Sequence, residues 1–261
     1  MEKAKSKTEI RHEKILDMLE GSDTVKLGVF CEQLGCSEST IRNDLAYLEG
    51  EKKLRRVFGG AVKADVSPYD LINLADRETI YLAEKQRIAK YVADNMLRDN
   101  QTIILDAGTT NSQIAKIIAE RDMNMIVLTA SMTIGQILSR AENVTLYLFG
   151  GFYYPDRGFF YDSNIDQLMK MIRADIYFLS VNGISLESQF TITGQDETKI
   201  KSLLMDIAGR TVVVADRSKL GRNAMKIVAD FDSVDLLVTD DKADPGFVQK
   251  LRQRGIDVVL A

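Results

Sequence analysis

The sequence is poor in the side chains that build metal sites, disulfide frameworks and imidazole catalysis. Among 261 residues there is one histidine, His12, and there are two cysteines, Cys31 and Cys36. Two neighbouring cysteines with no second pair and no adjacent histidine do not supply the four ligands of a structural zinc site, so we expect reduced thiols. His12 lies in a polar segment and is expected on the surface. We expect neither a metal nor a cofactor.

Long apolar runs are missing as well. No stretch approaches the roughly 18 apolar residues of a membrane helix, and the charged N-terminus MEKAKSKTEI lacks the apolar core of a secretory signal. We therefore expect a cytoplasmic protein. With 45% hydrophobic and 28% charged residues, the composition is that of a folded globular chain. A length of 261 residues suits two domains better than one.

The net charge of −4 is unevenly distributed along the chain. Residues 1–65 hold 12 basic and 12 acidic side chains, which leaves 22 basic against 26 acidic in residues 66–261. The acidity therefore belongs to the second part. Within the first part, the basic side chains concentrate in one short segment, at Lys52, Lys53, Arg55 and Arg56. A local basic patch matters more for phosphate binding than the total charge.

The first 50 residues predict three helices. Apolar residues at helical spacing mark the segments Thr8–Glu20 and Leu27–Leu34. Gly35 suits the left-handed end of the second segment, and Ser37 suits the N-cap of a third. Helix, glycine turn and helix in this order predict a helix-turn-helix.

The third helix has two chemically different sides. Its apolar side consists of Ile41, Leu45 and Leu48. Its outward side consists of Ser39, Arg42, Asn43 and Ala46. Arginine can pair with guanine, asparagine with adenine, and the hydroxyls of Ser37, Ser39 and Thr40 can reach phosphates or base edges. Glu38 and Asp44 argue against such contacts, since a carboxylate repels phosphate unless it pairs with a neighbouring base.

The segment KKLRRVFGGAV that follows predicts a short strand, a glycine turn and a return strand. Such a hairpin is the wing of a winged helix-turn-helix, and its Arg55 and Arg56 could contact the DNA backbone beside the groove. The alternative is a three-helix bundle with an incidental hairpin. Basic residues beside a flexible turn serve no packing need, so the winged helix-turn-helix is favoured for residues 1–62.

Residues 63–79 have weak periodicity and one proline, which is typical of a linker. From residue 80 to 261, helical and strand-like segments alternate, which predicts an α/β domain with a largely parallel sheet. The predicted helices are Tyr81–Leu97, Asn111–Glu120, Thr133–Arg140, Ile165–Arg173, Glu197–Gly209 and Phe247–Arg254. The predicted strands are Gln101–Leu105, Met125–Leu128, Val144–Phe149, Ile176–Val181, Thr211–Ala215, Leu236–Thr239 and Ile256–Leu260.

Ligands of such sheets collect at the carboxyl ends of the strands. The first strand is followed by Asp106, Gly108, Thr109 and Thr110, which lead directly into a helix. Small residues let backbone amides approach an anion, and a helix N-terminus favours negative charge, so a phosphate could bind here. Equally, Thr109 or Thr110 could simply cap the helix.

Other strands of this domain also end in small, amide-bearing or basic residues. These residues are Ala130 and Ser131, Gly150 and Gly151, Asn182 and Gly183, and Arg217, Ser218 and Lys219. A phosphorylated polyol needs such groups around its hydroxyls and its charge. Each could instead belong to a plain turn, but together they favour a binding site.

The segment SESTIRNDLAYLEGEKKLRRVFGGA resembles the N-terminal signature of the DeoR family of bacterial repressors of sugar metabolism, and the resemblance extends over essentially the whole chain. It implies a winged helix-turn-helix with Ser39, Thr40, Arg42 and Asn43 on the DNA-reading helix and Arg55 and Arg56 on the wing. It also implies a sensor domain that is similar in fold to ribose-5-phosphate isomerase and answers to a phosphorylated sugar.

The resemblance carries over to these effector-site positions: Asp106, Gly108, Thr109, Thr110, Gly150, Gly151, Asn182, Gly183, Lys201 and Lys219. Two positions depart from the family pattern. Ala130 stands where the family commonly has asparagine, and Asp162 stands where a glycine is usual.

The favoured interpretation is a non-enzymatic transcriptional repressor that binds a DNA operator and a phosphorylated sugar as a homodimer or homotetramer. A sugar-phosphate isomerase could use Asp106 or Glu197 as a base with Lys201 or Lys219 as electrostatic partner, but it has no use for a DNA-reading segment. A scaffold that binds only proteins would explain neither the wing arginines nor the glycine-threonine loop.

Overall fold

The computed structural model describes residues 6–20, 24–51, 53–57, 59–63, 74–155, 157–162, 165, 169, 171–194 and 197–261. The chain divides into two compact units, Met1–Ile72 and Asn73–Ala261. Within the described ranges, no helix has the length and apolar character needed to cross a membrane.

The described residues of the first unit form three helices and a three-stranded sheet. The helices are α1 (Lys7–Glu20), α2 (Leu27–Leu34) and α3 (Glu38–Gly50). The strands β1 (Thr24–Lys26), β2 (Leu54–Val57) and β3 (Gly60–Lys63) pair antiparallel in the order β1-β3-β2. This is the predicted winged helix-turn-helix. The alternative of an incidental hairpin is wrong, because β3 pairs on both sides and ties the wing to the segment between α1 and α2.

The core of this unit forms from the apolar residues that the helical spacing predicts. Ile15 of α1, Phe30 of α2 and Ile41 of α3 are all fully buried. Gly35 ends α2 with a φ of 62°, and Ser37 begins α3 by accepting a hydrogen bond from the Thr40 amide at 3.3 Å. The sequence does not predict β1, because three residues between two helices are too few to show an alternation.

The second unit is organised around a seven-stranded parallel sheet. Its strands are β4 (Gln101–Leu105), β5 (Met125–Thr129), β6 (Val144–Leu148), β9 (Ile176–Leu179), β12 (Thr211–Val214), β14 (Leu236–Thr239) and β15 (Val258–Leu260). They lie in the order β15-β14-β12-β9-β4-β5-β6, and every neighbouring pair is parallel. All seven strands coincide with predicted segments, and the α/β prediction is confirmed.

Helices cover both faces of this sheet. They are α4 (Leu74–Thr79), α5 (Leu82–Asn95), α6 (Thr109–Glu120), α7 (Met132–Leu138), α8 (Glu197–Ile207) and α9 (Pro245–Gln253). One core cluster joins α5, α6 and α7 to the face that carries Ile103. The other joins α8 and α9 to the face that carries Ile104. The residues of α4 fall in the predicted linker, and the predicted helix Ile165–Arg173 lies largely outside the described residues.

The chain moves across the sheet in opposite directions from two central strands. From β4 it proceeds through α6 and α7 to β5 and β6, and from β9 through α8 and α9 to β12, β14 and β15. The strand order therefore reverses between β4 and β9. In open α/β sheets, ligand sites form at such a switch point, outside the carboxyl ends of the strands.

Five further strands form two small antiparallel sheets. A hairpin is made by β7 (Phe152–Tyr154) and β8 (Phe159–Tyr161). The second sheet, in the order β10-β11-β13, is made by β10 (Gly183–Ser185), β11 (Gln189–Ile192) and β13 (Lys226–Ala229). The sequence does not predict these strands, because three or four residues give no reliable periodicity.

The pairing of β1 with β3 requires a residue without a side chain at Gly60. A Cβ there would lie 2.2 Å from the carbonyl oxygen of Val25. We predict that Gly60→Ala lowers the free energy of unfolding of the first unit by about 1 to 3 kcal/mol, as overpacking does. Gly50→Ala is the matched control, since a Cβ at this last residue of α3 meets no atom within 4 Å. Urea unfolding, with hydrogen exchange of residues 24–63, measures the free energy of unfolding of both variants. Equal stability of the two variants would contradict the prediction.

Candidate functional site

The outward side of α3 is exposed, as its spacing predicts. The exposed residues are Ser39, Arg42, Asn43 and Ala46. Three hydroxyls lie together at the start of the helix, with Ser37 Oγ 3.0 Å from Ser39 Oγ and 2.9 Å from Thr40 Oγ1. Thr40 is partly buried. Ser37 and Thr40 therefore fix the start of the helix, whereas Ser39, Arg42 and Asn43 present polar groups to an incoming ligand.

The carboxylate of Asp44 does not belong to that exposed side. Asp44 is 5% exposed and accepts two hydrogen bonds from Arg11, from Nε at 2.5 Å and from Nη2 at 2.9 Å. His12 Nε2 lies 3.0 Å from the same carboxylate, and the His12 ring stacks on Tyr47. Burial alone would raise the pKa of Asp44, but the hydrogen bonds from Arg11 and His12 lower it. The expected surface position of His12 is wrong, because the ring packs between α1 and α3.

The other two carboxylates of α3, Glu38 and Glu49, are each paired with an arginine at the surface. Arg42 Nη2 donates to Glu38 Oε2 at 3.2 Å, and both side chains are exposed. Arg56 donates to Glu49 from its amide at 2.9 Å and from Nε at 2.7 Å. Exposed pairs of this kind contribute little free energy, so phosphate can compete for either arginine. The side chain of Arg55, with Lys52, lies outside the described residues.

In the second unit, one carboxylate ties together the carboxyl ends of β4 and β9. Asp106, directly after β4, accepts hydrogen bonds from the amides of Ala107 and of Ser180, both at 2.9 Å. It also accepts one from the ammonium of Lys201 on α8, which donates to the Ser180 carbonyl at 3.2 Å as well. The side chains of Asp106 and Lys201 are 8% and 3% exposed. Two predicted site residues thus form a buried ion pair at the switch point.

Gly108 and Asn111 bring the start of α6 against the end of β9. A Cβ at Gly108 would lie 2.1 Å from Ser180 Oγ, so this approach requires glycine. Asn111 Nδ2 donates to the carbonyl of Asp106 at 3.1 Å and to that of Phe178 at 2.8 Å. The N-cap residue of α6 is Gly108, with no side-chain cap. The alternative in which Thr109 or Thr110 caps the helix is therefore wrong, since both lie inside its first turn.

A small cavity lies beside the Asp106–Lys201 pair. Its lining includes Ala130 and Phe159, and its volume is about 10 Å³, room for about one water molecule. Glu197, which also lines it, lies 3.8 Å from Lys201 Nζ and 3.4 Å from Arg157 Nη1. A sugar can therefore enter only if the lining residues move.

A group of basic side chains lies near the carboxyl end of β12, the neighbour of β9. Burial lowers the pKa of Lys219 to about 8; Asp216 opposes this shift, and the cations Arg77, Lys85 and Arg222 add to it. Lys85 is 2% exposed, and burial lowers its pKa too. The cations Lys219, Arg77, Lys85 and Arg222 outnumber the nearby carboxylates of Asp216 and Glu78, an imbalance that favours the binding of an anion.

Lys85 is a candidate anion-binding residue that the sequence did not predict. It lies on α5 three residues before Ile88 and seven before Val92, on the buried side of the helix. A lysine at an apolar position of an amphipathic helix is the signal that could have identified it, because a buried ammonium is costly unless it is paired.

The predicted residues after β5 and β6 shape neighbouring turns. Ser131 caps α7 by accepting a hydrogen bond from the Ile134 amide at 3.3 Å. Gly151 has a φ of 127°, and a Cβ there would lie 2.5 Å from the Tyr161 carbonyl oxygen. Gly150 and Gly151 thus begin the β7–β8 hairpin that carries Phe159 to the cavity. They follow β6, two strands and about 10 Å from β4.

Asn182 and Gly183 lie just beyond β9, at the start of β10. Asn182 Oδ1 accepts a hydrogen bond from the Thr193 amide at 3.0 Å. A Cβ at Gly183 would lie 2.6 Å from the Arg222 carbonyl oxygen, which places this glycine beside the basic group. Among the residues that the structure describes, no three histidine, cysteine or acidic side chains are grouped as ligands for a metal ion.

A winged helix-turn-helix with a polar exposed helix side, followed by an α/β unit with charged groups at its switch point, defines a DNA-binding protein with a sensor unit. Residues 11–66 match the family model of the DeoR-like helix-turn-helix domain, and residues 81–241 match that of the DeoR C terminal sensor domain. The chain belongs to the DeoR family of transcriptional regulators.

Curated relatives resemble the chain over nearly its full length. A protein named for repression of the aga operon in Escherichia coli O157:H7 is 30% identical over 260 residues, 99% of this chain and 96% of the relative. The HTH-type transcriptional regulator GolR of Listeria innocua is 30% identical over 251 residues, 96% and 98% of the two chains. The HTH-type transcriptional repressor GlcR of Bacillus subtilis is 29% identical over 246 residues, 94% and 93%.

Among solved structures, ribose 5-phosphate isomerase A of Methanocaldococcus jannaschii aligns with a TM-score of 0.40 and 19% identity. The alignment covers 54% of this chain and 55% of that one. A similarity at this level carries no argument about function.

Asp44 and Glu38, two of the three carboxylates of α3, have opposite expected effects on DNA binding. Asp44→Ala leaves Arg11 without its buried partner, and we predict that the free energy of unfolding of the first unit falls by about 2 to 3 kcal/mol, with a loss of DNA affinity. Glu38→Gln removes an exposed negative charge beside Arg42, so DNA affinity rises a few-fold while stability changes by less than about 1 kcal/mol. Fluorescence anisotropy and urea unfolding test both variants. Tighter DNA binding by a stable Asp44→Ala protein would contradict the assigned role of Asp44.

Proposed function

We propose that this regulator represses genes of sugar metabolism and that a phosphorylated sugar bound by the second unit controls its affinity for the operator. The proposal assigns DNA reading to residues 1–62, a linker role to residues 63–79 and effector binding to residues 80–261. Curated relatives of nearly equal length are named as repressors of transcription, which supports the first half. The observation that carries the second half is the buried Lys85 near Lys219, since buried ammonium groups select an anion.

On DNA, the exposed side of α3 would enter the major groove. Arg42 suits the acceptors of guanine, Asn43 suits adenine, and Ser39 suits a phosphate or a base edge. Arg55 and Arg56 of the wing would contact the backbone beside the groove. Because Asp44 is buried against Arg11, the carboxylates of α3 that remain near the phosphates are those of Glu38 and Glu49, in weak exposed pairs with Arg42 and Arg56.

The effector would bind along the carboxyl ends of β4, β9 and β12. Its phosphate would lie with Lys219 and Lys85 after β12. The first turn of α6 at Thr109 and Thr110 follows β4, two strands from β12, and its helix amides would favour a further negative group of the ligand. Its hydroxyls would exchange hydrogen bonds with Asp106, Lys201 and Asn182. The cavity beside Asp106 is too small for a sugar, so binding must be accompanied by movement of its lining.

Repression requires coupling between the two sites. We propose a symmetric homodimer or homotetramer that places two copies of α3 about one DNA turn apart, or a multiple of it, in the cytoplasm where the operators are. An effector changes operator occupancy only if it binds the DNA-bound and DNA-free forms with different affinity. An inducing sugar phosphate would therefore bind the DNA-free form more tightly.

We do not propose isomerase activity. The relatives that match over the whole chain are named as regulators. Asp106, the strongest base candidate, holds the end of β9 and the ammonium of Lys201, so a proton transfer at that carboxylate would disrupt the switch point.

The decisive experiment is fluorescence anisotropy of labelled DNA from upstream of the protein's own gene, titrated at fixed salt with and without a panel of sugar phosphates. We expect tight binding that one compound weakens at least about ten-fold, a typical allosteric coupling. Each unphosphorylated parent sugar serves as the matched control and should have no effect. Specific binding that no compound changes would disprove the effector half, and binding no tighter than to random DNA would disprove the repressor half.

The assigned role of Lys219 predicts a pH dependence for effector binding. Lys219 is protonated below its pKa of about 8, and the phosphate ester is a dianion above about pH 6. Affinity should therefore be highest between pH 6 and 8 and fall as the pH rises through 8, with a Kd about ten-fold higher at pH 9 than at pH 7. Calorimetry on the full chain measures it. The control is Lys116→Met, a change at an exposed lysine of α6, which should leave the pH dependence of the Kd unchanged. A wild-type Kd that does not depend on pH would show that Lys219 does not belong to the site.

A further inference from the structure

The corner between α4 and α5 is held by a buried ammonium. Nζ of Lys85 donates a hydrogen bond to the carbonyl oxygen of Arg77 at 2.5 Å, and Lys85 is 2% exposed. Arg77 lies in the last turn of α4 and Lys85 near the start of α5, so this bond spans the corner. A neutral carbonyl is a weaker partner for an ammonium than an anion is. A bound anion can therefore replace it.

The same corner is held a second time through Tyr81. This residue joins α4 to α5 with a φ of 52°, a left-handed conformation that is unfavourable for a residue with a Cβ. The guanidinium of Arg217 lies 4.6 Å from the centroid of the Tyr81 ring. Arg217 also donates to Glu84 on α5 at 3.0 Å and to Asp240 at 2.8 Å. The conformation at Tyr81 thus depends on the turn that contains Arg217.

Lys219 lies in that same turn, two residues after Arg217. The charge of Lys85 is close enough to Lys219 to lower its pKa. One short turn therefore carries the proposed phosphate ligand, which lies near the buried ammonium, and the clamp on Tyr81. The helix that this corner fixes, α4, is the first helix of the second unit and forms the C-terminal end of the proposed linker.

We infer that the α4–α5 corner responds to effector binding and that Lys85 is the residue that switches partner. This inference rests on the proposed function. A phosphate bound at Lys219 takes the Lys85 ammonium as a further donor, the Arg77 carbonyl loses that donor, and α4 is less firmly held. The two states then differ in the partner of one ammonium, which supplies the differential interaction that any allosteric response needs.

Hydrogen exchange measured by mass spectrometry on the full chain tests this inference, with inorganic phosphate as the probe against chloride at equal ionic strength. Calorimetry in the same buffers establishes that phosphate binds. We expect exchange over residues 77–85 to become about five-fold faster with phosphate, the factor that corresponds to one net hydrogen bond. Peptides from α9 and β15, far from this corner in sequence, serve as the internal reference.

Two substitutions on the same helix provide matched controls. Lys85→Met keeps the length of the side chain and removes the ammonium, so exchange over residues 77–85 should already be fast without phosphate and should not increase further. Lys90→Met makes the same change at an exposed lysine that pairs with Asp94, and it should behave as wild type. If Lys85→Met does not fold, Tyr81→Leu takes its place. It removes the ring under Arg217 and should loosen the same peptides, whereas Tyr81→Phe should not.

The outcomes separate this inference from the proposed function. Phosphate that binds while exchange over residues 77–85 stays unchanged or slows would overturn the switch and leave the sugar-phosphate repressor intact. Absence of phosphate binding would also overturn the switch. The proposed function fails only in the operator titration, where specific binding that no sugar phosphate alters would disprove effector control and binding no tighter than to random DNA would disprove repression.

Discussion

The switch point of the second unit is held together by one buried carboxylate, that of Asp106. Asp106 binds its own turn after β4, the amide of Ser180 after β9, and the ammonium of Lys201 on α8. A buried charge is tolerated only when it is paired and hydrogen-bonded, so these three segments must end at one place. This place is where the strand order reverses and where an α/β sheet offers a site. The charges of Asp106 and Lys201 are already paired with each other there, so we expect a ligand of this site to bind by exchanging partners rather than by filling an empty cavity.

The same exchange of partners explains how residues 1–65, whose formal charges cancel, can present a surface for DNA. Asp44 lies on the helix that carries Arg42 and Asn43, but its carboxylate is turned inward to Arg11 and His12. Glu38 and Glu49 lie in exposed pairs with Arg42 and Arg56, which phosphate can replace at low cost. The arrangement keeps the basic side chains oriented before DNA arrives.

Helices and strands with a clear hydrophobic period were predictable from the sequence. Short strands that form only by pairing with another strand were not. The apolar side of α3 and the seven parallel strands follow from spacing within the sequence. The strand β1 and the five short antiparallel strands were missed because each forms by pairing with a strand that is distant in sequence or too short to show a period. In the case of β1, the missing side chain of Gly60 lets β3 approach Val25. At the candidate site, Asp106 and Lys219 were predictable from their places at strand ends. Lys85 was not, because it interrupts an apolar helix side that looked like ordinary core.

The sequence by itself determined the helix-turn-helix, the exposed side of its third helix and the alternation that gives the parallel sheet. These depend on local spacing, capping and turn residues, which act over a few positions. Only the tertiary structure decided which charges meet. Asp106 and Lys201 lie 95 positions apart, Arg11 and Asp44 lie 33 apart, and Lys85 reaches the neighbourhood of Lys219 from another helix. The order of the strands and the packing of the helices decide which charged residues come close together. Because a buried charge requires a partner, each one pairs with the residue that the fold brings near.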